Sequence, residues 1–126
     1  MTMVFTMDHR TEPPVDLFQA VAQAQYMAGH CAHLDRSAKA RRRLQRAREE
    51  ARMLAVRAGR LGYGDAVATG ARHWRVRRDE VDTSCIVGPQ ETNASAYSGL
   101  LSDYEEQNRQ TRRWLNAVPR KSGGGH

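Results

Sequence analysis

The side chains best suited to metal binding or nucleophilic chemistry are few: His30, Cys31 and His33 stand together, and a second cysteine, Cys85, lies far along the chain. His30 and His33 are spaced i and i+3, which puts them on one helix face, and imidazole with thiolate is a zinc-type donor set. A zinc site is recognised by paired spacings, however, and here the fourth donor is missing from the neighbourhood, although Cys85 could supply it through a tertiary contact. Ordinary packing at a helix end is the better reading, so neither a metal nor a cofactor is expected. Cys31 makes a poor nucleophile, because adjacent helical residues point in different directions and no third group orients a base. The acidic pairs Glu49-Glu50, Asp79-Glu80 and Glu105-Glu106 are consecutive, so on helices they diverge and cannot share an acid–base site. Gly59-Arg60-Leu61-Gly62-Tyr63-Gly64 lacks the Gly-Lys-Ser/Thr ending of a phosphate-cradling loop and follows a helical pattern, which makes it a turn. With no catalytic constellation, the expectation is a protein that is not an enzyme.

What remains is charge. The chain of 126 residues carries a formal net charge of +6, and its distribution is uneven. Residues 36–60 hold ten Lys or Arg against Glu49 and Glu50, a net +8, while the rest of the chain sums to −2. A weakly acidic body with one strongly basic element concentrates positive potential on one surface and attracts polyanions. Arginine outnumbers lysine eighteen to two, which suits bidentate phosphate contacts, although GC-rich coding would give the same ratio.

The elements that must position these charges follow from apolar spacing. Residues 1–14 lack periodicity and end in Pro13-Pro14, an expected flexible N-terminal arm. Asp16 with Gln19 suits a capping box for a first helix, along which Leu17, Val21, Ala24, Ala28 and Cys31 form one stripe. A turn is expected at Leu34-Asp35-Arg36-Ser37, with one unbroken helix as the alternative. Ala40, Leu44, Ala47, Ala51, Leu54, Ala58 and Leu61 then alternate four and three apart, a coiled-coil-like seam. On a helical wheel Arg42, Arg46, Arg52 and Arg60 fall broadly opposite that seam, with Arg41, Arg48 and Arg57 at its flanks. Glu49 and Glu50 are within helical reach of Arg46 and Arg52 and are expected to pair with part of the basic face.

Beyond the glycine turn a short helix is expected near residues 65–78, followed by an irregular or hairpin-like stretch. Trp74 and Val76 alternate with arginines and could pair with Cys85-Ile86-Val87 as a short β-hairpin near residues 73–88. In the last helix Asn93 or Ser95 is the expected cap, and Tyr97, Leu101, Tyr104, Asn108, Thr111, Leu115 and Val118 repeat at four and three until Pro119. Asn108 and Thr111 interrupt this seam, either pairing across helices or leaving it wet. Residues 120–126 resemble a flexible tail.

The fold class is therefore mainly α: one small helical domain, residues 15–119, with alanine-rich packing. Leu, Ile, Val and Phe number only 20 of 126, a thin core that points to a homo-oligomer or hetero-complex. No stretch approaches the ~18 apolar residues of a membrane span, no signal-peptide run is evident, and both cysteines are read as reduced, so a cytoplasmic location is expected. The leading functional expectation is a non-enzymatic protein that binds nucleic acid, DNA first, with Arg41, Arg42, Arg46, Arg48 and Arg52 on phosphates and Arg72, Arg75, Arg77 and Arg78 as a second patch. A helix-turn-helix version would offer Thr69, Arg72, His73 and Arg75 to base edges, but its connecting turn reads as too long. Trp74 and Trp114 could stack on bases, although tryptophan at helical spacing is more often core. The rival expectation is a helical interaction or assembly protein, an adaptor or structural component, whose arginines meet an acidic protein surface.

Overall fold

The computed structural model describes residues 14–120, so most of the expected N-terminal arm and nearly all of the expected tail lie outside the described residues. Within that range the chain forms four α-helices, α1 (Pro14–His30), α2 (Ala38–Arg60), α3 (Gly64–Arg77) and α4 (Asn93–Ala117), with single 3-10 turns at Ala32–Leu34 and Arg78–Glu80. The mainly helical expectation holds, and no helix is long and apolar enough to cross a membrane among the described residues.

Asp16 does not cap α1: the helix already runs from Pro14, and Asp16 sits in its first turn, where a carboxylate favours the positive end of the helix dipole. The break between α1 and α2 is real. Asp35 Oδ1 accepts from the Ser37 N–H at 3.0 Å, and Ser37 Oγ accepts from the Ala40 N–H at 3.2 Å, so Ser37 is the N-cap. α2 ends in a Schellman motif. Gly62 takes a φ of 98°, Gly62 N–H donates to the Gly59 carbonyl, and Tyr63 N–H donates to the Ala58 carbonyl at 2.8 Å. Only Leu61–Tyr63 separate α2 from α3, a shorter connection than the three spaced glycines suggested. In α4 the N-cap is Thr92, with Ser95 completing the capping box from the third position, so Asn93 is already helical.

The β-hairpin near residues 73–88 is absent among the described residues. Trp74 is buried as a helical residue, four positions after Gly70, and the pair faces α1. Gly70 explains why α3 persists through a residue of low helix propensity. A Cβ there would meet Gln19 N at 2.7 Å and Phe18 Cβ at 2.8 Å, so the absence of a side chain lets α3 approach the backbone of α1.

Two buried clusters make the core. One gathers Ala28, Cys31, Ala40, Leu44, Ala47, Tyr97, Leu101 and Tyr104. The other gathers Phe18, Leu54, Ala58, Trp114 and Leu115. The α2 and α4 seams thus pack within one chain, with Ala51, Leu61 and Val118 only half-buried. Asn108 and Thr111 are dry: Asn108 donates from Nδ2 to the Ala47 carbonyl at 3.0 Å, and Thr111 donates to the Gln107 carbonyl of its own helix at 2.9 Å. Tyr97, also buried, donates its hydroxyl to the Ala28 carbonyl at 2.6 Å, satisfying one of the open acceptors at the end of α1.

The reading of both cysteines as reduced is corrected: Cys31 and Cys85 form a disulfide across a sequence separation of 54. Cys31 is fully buried and Cys85 packs against the first cluster, which draws residues 81–91 onto the helices. Among the described residues, the turn and side-chain hydrogen bonds of that segment are all local, including Ser84 N–H to Asp82 Oδ1 and Gly88 N–H to Glu91 Oε1. The disulfide is therefore its principal long-range tie.

Candidate nucleic-acid interface

α1 packs on α3 and α4, whereas α2 packs on α4 and α3 and meets α1 only sparsely. That uneven packing leaves a cleft beside α1 and α2 with α3 along it. Its two parts, of about 370 and about 470 Å³, share Ala22, Gln25, Arg48 and Ala71 and so form one depression. Arg48 and Arg52 enter from α2, and Arg75 and Arg78 from the end of α3 and the turn after it. No carboxylate lines either part. Four guanidinium groups with no carboxylate in the lining make a cationic concavity, and low-dielectric walls strengthen the field inside it.

Gly29 leaves room for Arg48 to lie across α1, since a Cβ there would come within 2.9 Å of Nη2. At the far end Tyr26 stacks on His30 with ring centroids 5.1 Å apart and planes within 16°. Arg78 sits over the Tyr26 ring at 5.1 Å, a cation–π contact that orients its guanidinium toward the cleft wall. Trp74 backs this group, tilted against Tyr26 at 5.7 Å. It is buried, as is Trp114, which meets Tyr63 edge-on at 4.9 Å, so both tryptophans serve the core and neither offers a face for base stacking.

The nine arginines singled out from the sequence are divided by the fold. Arg48, Arg52, Arg75 and Arg78 meet in the cleft. Arg46 lines a different depression, along α2 beside Arg112 of α4. Arg41 and Arg42 are exposed on the first turns of α2, outside both. Arg72 donates to Thr69 Oγ1 at 3.0 Å along α3, and Arg77 faces Glu80 at 3.8 Å.

Other arginines hold the fold. Arg43 grips Glu105 through Nε at 3.1 Å and Nη2 at 2.8 Å, and also donates to Ser98 and Ser102 of α4. The Arg43 hydrogen bond holds the Glu105 carboxyl below its usual range, with partial burial opposing. The expected pairing of Glu50 with neighbours on its own helix is replaced by a bond to Arg112 of α4, and Arg57 donates to Asn116. Glu105 and Glu106 diverge as their spacing required, Glu106 pairing with Arg109 at 2.8 Å.

No cluster of three metal-binding side chains occurs among the described residues, and Cys31 is committed to its disulfide. Sequence reasoning missed Tyr26 and His30 as parts of the cleft. The i, i+4 spacing of two rings was the available signal. No protein family, characterised protein or solved structure matches the chain.

Proposed function

We propose that the chain is a non-enzymatic nucleic-acid-binding protein, DNA being the first candidate, and that the phosphodiester backbone lies along the cleft beside α1 and α2. The observation that carries this reading is the convergence of Arg48, Arg52, Arg75 and Arg78, from two helices and the turn after them, on a concave surface without a carboxylate. Arginine is the side chain suited to bidentate phosphate contact, and phosphate contacts supply most sequence-independent affinity. The Tyr26–His30 stack adds aromatic surface at one end, where an unpaired base could lie. Arg41 and Arg42 extend the positive field along α2 without lining the cleft.

Association into a homo-oligomer or hetero-complex belongs to this proposal, since four arginines make a short footprint on a polymer and a second subunit would lengthen it. The Cys31–Cys85 bond supports an oxidising setting for the activity, in place of the cytoplasmic one expected with reduced cysteines. The test is fluorescence anisotropy of labelled oligonucleotides, single-stranded and duplex, with charge reversals. Arg75→Glu and Arg78→Glu together should abolish binding, while Arg42→Glu, on the same protein but outside the cleft, should weaken it only slightly. Equal loss from all three substitutions would mean diffuse charge attraction and no cleft site.

A further inference from the structure

The outer face of α2 carries a second surface of different character. Met53 and Val56, one helical turn apart, are 69 % and 49 % exposed, whereas the seam residues Ala40, Leu44, Ala47, Leu54 and Ala58 are buried. Together with Leu54 they floor a depression of about 900 Å³ along α2, to which α4 contributes Arg112. Five arginines, Arg46, Arg52, Arg57, Arg60 and Arg112, rim it against two carboxylates, Glu49 and Glu50. Glu50 is held by Arg112, so Arg46, Arg52, Arg57 and Arg60 remain as cations without an ion pair among the described residues, Arg57 donating only to the neutral Asn116.

We propose that this depression docks an acidic amphipathic helix of a partner protein. An apolar floor with charged margins is what a helix laid in a groove requires, its apolar stripe meeting Met53 and Val56 and its flanking carboxylates meeting the arginines. Methionine suits such a floor, because its unbranched thioether adapts to differing side chains. A second copy of this chain is the wrong occupant, since an isologous contact would set the same arginine rim against itself. Nucleic acid is the wrong occupant too: a phosphate backbone leaves the apolar floor of Met53 and Val56 uncovered, whereas the stripe of an amphipathic helix covers it. The inference does not depend on nucleic-acid binding in that cleft, and Arg52, which borders both surfaces, is left unaltered in the test for that reason.

The probe is a synthetic peptide designed as a helix, with leucines at i, i+3, i+4 and i+7 and glutamates on the flanks, beside a control with lysines replacing the glutamates. Titrated into the isotope-labelled full chain, the acidic peptide should shift the amide signals of Met53, Val56 and Arg60 and leave those of Arg75 and Arg78 in place. Met53→Asp and Arg60→Glu should each weaken it at least ~tenfold. Both residues are exposed, and Arg60→Glu leaves the apolar floor intact, so a folding defect in one variant leaves the other to decide. Equal binding of the lysine peptide overturns the proposal. So does affinity that survives Arg60→Glu, displacement of the peptide from these residues by a single-stranded oligonucleotide, or self-association of the free chain that Val56→Asp removes. Arg75→Glu should leave peptide affinity unchanged, which separates this surface from the cleft.

Discussion

Breaking the Cys31–Cys85 bond should destabilise the protein strongly and unevenly. The cross-link closes a loop across a sequence separation of 54, and the chain-entropy relation for that length gives about 4 kcal/mol of stabilisation through the unfolded state. A domain of this size has a net stability of roughly 5–15 kcal/mol, so the bond supplies a large share of it. At about 4–5 °C per kcal/mol, the expected fall in Tm is roughly 15–20 °C. The loss should also have a place: residues 81–91 have only local turn and side-chain hydrogen bonds, so their amides should exchange rapidly after reduction while the centre of α4 stays protected. The assay compares oxidised protein with Cys31→Ser/Cys85→Ser by thermal melting and hydrogen exchange. A Tm change below about 3 °C, or unchanged protection in 81–91, would refute the view that the disulfide holds this segment. Mass measurement of the natively purified chain showing two free thiols would refute the bond itself.

Arg43→Ala should cost about 2–3 kcal/mol in urea unfolding, because it strands Glu105 and removes two serine contacts; a cost under 0.5 kcal/mol would place the α2–α4 attachment elsewhere. Gly70→Ala should destabilise by at least ~1–2 kcal/mol despite alanine's higher helix propensity, since the new Cβ meets the Phe18–Gln19 backbone; a stabilised variant would contradict the close approach of α1 and α3. Burial pushes the Tyr104 hydroxyl up to about 12, whereas the unfolded chain ionises near the ordinary value of 10.0. Its neutral form therefore supports folding fully below pH 10, and stability should fall by about 1.4 kcal/mol per pH unit from there to about pH 12, less so in Tyr104→Phe; equal alkaline sensitivity of that variant would assign the effect to other groups.

The helices were legible because their signal is local. Seam residues from Ala40 to Leu61 and from Tyr97 to Val118 repeat at three and four, and Ser37 caps α2 by its own side chain, so neighbours in sequence decide both. The misread features depend on distant partners. Trp74 and Val76 alternate like a strand, and only the approach of Gly70 to Phe18 shows why the helix wins. Spacing could not tell whether Asn108 is wet or paired, because its acceptor is the Ala47 carbonyl on another helix. The two cysteines, far apart in sequence, carried no sign of proximity. The same holds for the candidate site: a helical wheel located the arginines of α2 but could not tell that Arg43 is bound to α4 while Arg48 meets Arg75 and Arg78. Charge density drew attention to α2, and packing decides which of its charges are left unpaired.

The most direct test of the cleft is the salt dependence of oligonucleotide affinity, followed by anisotropy from low to physiological ionic strength. If Arg48, Arg52, Arg75 and Arg78 each neutralise one phosphate, the log–log slope should be about −2.8 for a single strand and about −3.6 for a duplex, and Arg75→Glu should flatten it by roughly one contact. A slope near zero, or a steep slope that Arg75→Glu leaves unchanged, would contradict a phosphate-binding cleft between these helices.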